Sequence, residues 1–240
     1  MKKLNIIGIA LAATLSLPAL AKAQTAPKTA APLSAEAQAK ADADIDKKAG
    51  EWVTSLNLND AAKEARVKTV IATHLKAVRD WNNSHSADMV PAGINPLSGK
   101  PLSEMDRQII VNSSLPKSVH ENLMTGLHKD LTDEQVEAIL DKYTIGKVAF
   151  TLNGYKSIVP DLTPTEEAAI LVNLKQAREQ AVDFKNMKQI SGIFEIYKTK
   201  NEQYLNDHGR NWHQLFKTYV DAAKAKKAAD QAAAKKAANK

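Results

Sequence analysis

Histidines and carboxylates are the side chains here with the means to do chemistry, and their spacing limits which chemistry. His74, Trp81 and His85 recur at intervals of seven and four, so one face of a helix carries all three. A metal site built on a helix needs two His at i and i+4, or ligands brought in from elsewhere. His74 and His85 stand eleven residues apart, roughly 16 Å along a helix, too far to share an ion. His120 and His128 lie two turns apart, and His208 and His213 flank Gly209 as cap and surface residues. No metal and no cofactor is therefore expected. Asp80, Asp88, Asp161 and Asp183 lie beside loops or aromatic residues. Two of them at the right separation would suit glycoside hydrolysis, but spacing along the chain does not fix that separation. No Ser sits in a nucleophile elbow, and no Gly pattern cradles a phosphate. The residues assign no reaction, so whether the chain is an enzyme stays open.

A binding surface is easier to compose than a catalytic one. It combines the Ser84–Pro101 loop, the Asn153-Gly154-Tyr155 connector and the adjoining helix ends. Trp81 and Tyr155 could stack on a sugar ring, with His85 and Asp88 at the start of the loop. Asn153, Arg178 and Asp183 could hydrogen-bond the sugar's hydroxyls. The plainer alternatives are a turn for Asn153, core edge for Trp81 and Tyr155, a half-buried face for His85, and an exposed helix face for Arg178 and Asp183.

The elements that must position these residues read as helices. Ile45, Ala49, Trp52 and Val53 give Ala35–Leu56 one apolar face. Val67, Ile71, His74, Leu75, Val78 and Trp81 trace a stripe on a second helix that starts at Leu58-Asn59-Asp60 and ends near Asn83. Pro91, Gly93, Pro96, Gly99 and Pro101 make Ser84–Pro101 a long loop. A short helix opens at Ser103, and Ser118-Val119-His120-Glu121 has the spacing of a capping box. Leu131-Thr132-Asp133 and Leu162-Thr163-Pro164 repeat the pattern of an apolar staple, a cap and then acids. Phe150–Val159 reads either as a small β-hairpin about Asn153-Gly154 or as a looped helical connection. Helices are expected from Pro164 to about Asn186 and from Met187 to about Asp207, with Gly209 as a stop. Asn211 caps the last helix, whose Trp212, Phe216 and Tyr219 should pack. The expected fold is all-α, an irregular bundle of six to eight helices in one domain over residues 35–220. The Ala/Lys-rich residues 221–240 then form a projecting tail.

Residues 1–23 have the plan of a secretory signal peptide. Lys2 and Lys3 precede an apolar run from Ile6 to Leu20, and Ala21-Lys22-Ala23 supplies the small residues before a cut. Residues 24–34, rich in Ala, Pro and Thr, read as a flexible linker. A periplasmic or secreted location is expected, with no membrane span after cleavage. The absence of Cys leaves packing alone to hold the exported chain together. The net charge of +6 is uneven. Three Lys lie in the leader, and seven Lys against two Asp from Lys217 onward put +5 in the tail, so residues 24–216 carry −2. A body so close to neutral is not a nucleic-acid surface.

The stretch LTDEQVEAILDKYTIGKVAFTLNGYKSIVPDLTPTEEAAILVNLKQAREQAVDF resembles DUF3826, a family of exported bacterial proteins of unknown function. FEIYKTKNEQYLNDHG is similar more loosely, and LNLNDAAKEARVKTVIATHLKAVRDW is similar to the family's first long helix. The resemblance implies an exported, mostly helical protein from bacteria that degrade plant polysaccharides. It supplies no catalytic residue. On this basis the expected role is an accessory protein that binds or processes a plant-type polysaccharide or oligosaccharide. The phrase LTDEQ also resembles the LTxxQ motif of small periplasmic helical chaperones. The alternative is therefore a chaperone or interaction module whose partners are periplasmic proteins.

Overall fold

A computed structural model describes residues 34–96 and 98–238. The expected signal peptide and almost all of the linker lie outside the described residues. Among those described there are nine α-helices and no strand, so the fold is all-α.

Local capping explains where most helices begin. The hydroxyl of Ser34 accepts from the Ala37 amide to start α1 (Ala35–Thr54), and the Asp60 carboxylate accepts from Lys63 to start α2 (Ala61–Ser84). Full capping boxes open α3 (Glu104–Asn112) at Ser103/Asp106, α5 (Asp133–Thr144) at Thr132/Gln135 and α7 (Pro164–Ala181) at Thr163/Glu166. In LTDEQ, the Thr132 amide donates to Gln135 Oε1 at 3.0 Å, so this phrase opens a helix here. Pro164 takes the first helical position, where no amide hydrogen is required. The Asn186 side chain caps α8 (Met187–Asp207) and the Asn211 side chain accepts from Gln214 at the start of α9 (Trp212–Ala238).

Three expectations need correction. The Asn153-Gly154 segment is no hairpin but the middle of α6 (Lys147–Ile158). Val148, Leu152 and Tyr155 recur at four and three residues and face one core, while Phe150 points out at 77% exposure. A helical repeat thus overrides the apparent alternation. Ser118 does not cap α4 (Lys117–Asp130), because that helix already begins at Lys117, behind Pro116. The α7 helix ends at Ala181, five residues before Asn186, because Asn186 is itself the cap of α8.

Two apolar cores result. One lies among α1, α2, α4 and α5, around Val67, Ile71, Leu123, Leu127 and Ile139. The other lies among α6, α7 and α8, around Ile170, Leu174, Ile193, Phe194 and Leu205. Each such side chain, fully buried, contributes about 1.5–3 kcal/mol. Helix α7 spans both: its buried Arg178 pairs with Asp141 and Glu137 of α5, while Ile170, Leu174 and Ala177 fill the second core. The long loop lies against α3, where Gln108 donates to the His85 carbonyl at 3.0 Å. It contains one 3-10 turn at Ala87–Met89 and a bridge between Ile94 and Pro101. No helix among the described residues is long and apolar enough to cross a membrane.

Candidate functional site

The seven residues singled out from the sequence fall in five places. Trp81 and His85 stack on each other at the end of α2, ring centres 3.7 Å apart, and Trp81 Nε1 donates to the Val111 carbonyl. Asp88 is exposed, 3.8 Å from Arg107. Arg178 is buried, its guanidinium spent on joining α7 to α5. Asn153 and Tyr155 share a groove, and Asp183 lines a different cleft. Neither the groove nor the cleft is lined by a residue of the Ser84–Pro101 loop.

The groove runs between α6, α8 and α9 and encloses about 670 Å³. Phe150 and Asn153 come from α6, Lys198 and Glu202 from α8, Phe216 and Tyr219 from α9. The ring of Trp212 lies 5.3 Å from Tyr155 and 6.0 Å from Phe216, centre to centre. Tyr155 is the floor rather than a platform: it is buried, and its hydroxyl donates to the Lys198 carbonyl at 3.1 Å. Burial pushes that phenol well above its ordinary range. Phe216 and Tyr219, expected to pack, are 47% and 42% exposed. Desolvation raises the pKa of Glu202 as well.

The second feature is a charged array that no spacing rule announces. Asp183 sits in the turn after α7. His74, from α2, donates Nε2–H to its Oδ1 at 2.9 Å, and His120, from α4, donates Nδ1–H to its Oδ2 at 3.0 Å. The other nitrogen of His120 lies 3.6 Å from Glu179 of α7. His74 is buried and packs edge-on against Tyr143, ring centres 5.4 Å apart. His120 opens onto a cleft of about 480 Å³ lined also by Asn112, Lys117, Gln176 and Tyr197. The Asp183 hydrogen bond holds the His120 pKa above its ordinary value. Burial works to raise the Asp183 pKa, but hydrogen bonds from His120 and His74 outweigh it and the net direction is down. Burial, and then the Asp183 charge, push the Tyr143 phenol up. Sequence reasoning noticed each of His74, His120 and Asp183 alone; the 109 and 63 residues between the partners hid the array. Among the described residues no set of three His, Asp or Glu side chains is arranged to hold a metal ion.

No curated protein matches this sequence. The model of one family, described as a protein of unknown function, matches residues 42–225, from inside α1 to inside α9. That match spans both cores, the groove and the cleft, and the chain belongs to the family DUF3826.

Proposed function

We propose that the protein is an exported accessory protein that binds a glycan in the groove between α6, α8 and α9. The observation that carries this reading is the set of exposed rings: Phe216 and Tyr219 on α9 face the groove that Phe150 borders from α6. Sugar rings present flat C–H faces to aromatic side chains and a rim of hydroxyls to polar ones. Asn153, Lys198 and Glu202 supply such a rim here. The leader and the lack of Cys support export.

Trp212 reports on the groove directly. Titrating neutral plant-derived oligosaccharides should change its fluorescence, and Phe150→Ala or Tyr219→Ala should each weaken binding roughly fivefold, about 1 kcal/mol per ring lost. Unaltered fluorescence with every oligosaccharide, together with strong suppression of client aggregation, would replace this reading with the chaperone one. The same exposed rings are what favour that alternative.

A further inference from the structure

The array around Asp183 lies outside the groove and calls for its own explanation. Its members come from α2, α4 and the turn after α7, so helix capping does not account for it. A carboxylate lodged between two imidazoles gains little over a well-packed apolar trio, because desolvation offsets the attraction. Burial also leaves His74 Nδ1 and the Tyr143 hydroxyl without a partner among the described residues. A cost of that kind inside a helical core points to chemical use.

The protons narrow that use. Asp183 only accepts, so each ring turns an N–H toward it, and His120 is left with Nε2 as the atom that gains or gives up a proton. The ring is 24% exposed at the cleft wall. Facing it are Lys117 and Glu121 on its own helix, Gln176 and Glu179 on α7, Asn112 on α3 and Tyr197 on α8. Carboxylates outnumber the cations, which disfavours an anion. The amides and the Tyr197 ring suit a neutral molecule rich in hydroxyls.

We propose that this cleft is a second ligand site, for a neutral polyhydroxylated molecule. In it the Nε2–H of protonated His120 donates a hydrogen bond to a ligand oxygen while Asp183 and His74 hold the ring in place. Asp183 keeps its charge throughout. Asp183 and His74 are positioning residues.

The test is an NMR titration of the His120 ring in the full chain, with cellobiose, xylobiose and galacturonate as probes. The two neutral sugars should move the His120 resonances and its titration midpoint, and galacturonate should not. Glu179→Gln, an exposed change, should weaken the response. Asp183→Asn should abolish it and bring the midpoint back toward the ordinary imidazole value. Tyr219→Ala should leave it intact, since that ring belongs to the groove. Resonances unmoved by both neutral sugars, or moved as far by galacturonate, overturn the proposal. A His120 response without any Trp212 response removes only the groove reading.

Discussion

Asp183 ties together two imidazoles, His74 and His120, that come from different helices. The His120 pKa is held above its ordinary 6.5, first by the Asp183 hydrogen bond. A group whose folded pKa is raised contributes stability that is complete below its unfolded value and is lost as pH rises through the folded one. Asp183 has the opposite sign. Its pKa is lowered from 3.8, so its contribution is complete above that value and is lost as pH falls through the folded pKa. Glu166, held at about 2 chiefly by the Arg210 guanidinium, adds to the same acid flank. Thermal stability should therefore be greatest between about pH 4.5 and 6.5 and decline on the alkaline side. His120→Gln should flatten that alkaline decline and weaken, without removing, the acid flank, where Glu166 still acts. Melting temperatures across pH for the two proteins check this; alkaline flanks that superimpose would show that the His120–Asp183 bond adds no stability.

Helix boundaries were legible because capping is local. Ser103, Thr132, Thr163, Asn186 and Asn211 each act within three residues, a distance at which sequence order is nearly spatial order. The failures have the opposite cause. Asn153-Gly154 matches a hairpin turn taken alone, but Val148, Leu152 and Tyr155 belong to a core that α7 and α8 complete. Phe216 and Tyr219 look like core residues by type and are exposed because α9 extends past the helices it packs on. Two glycines make the helical assignment testable with one kind of change. At Gly154 an added Cβ meets no heavy atom within 4 Å, and the φ there is negative as in any helix. Gly154→Ala should stabilise the protein by about 0.5–1 kcal/mol, whereas a hairpin turn with positive φ would lose stability. At Gly126 an added Cβ would come within 2.7 Å of Val70 Cγ2, where α4 crosses α2. Gly126→Ala should destabilise by about 1–3 kcal/mol. Urea denaturation of both variants gives the two signs, and a loss at Gly154 would contradict the helix.

At the scale of the whole molecule, stability and charge are separated along the chain. Both cores are complete by Trp212, and the last large apolar side chain is Val220. From Asp221 to Lys235 every side chain is exposed although the backbone stays helical, which fits a run of Ala and Lys with strong intrinsic propensity and nothing to dock against. Six Lys and two Asp follow Val220, so removing residues 221–240 takes away a net +4. Charge on a projecting helix acts on distant anionic surfaces and is screened by salt, whereas the cores are indifferent to it. Truncation after Val220 should therefore leave the melting temperature unchanged while lowering the helical signal in circular dichroism. It should also abolish salt-sensitive retention on an anionic matrix such as heparin. A fall of several degrees in melting temperature would mean that the tail packs on the body. Retention that survives truncation would place the basic surface on the body itself, whose net charge from residue 24 to 216 is −2.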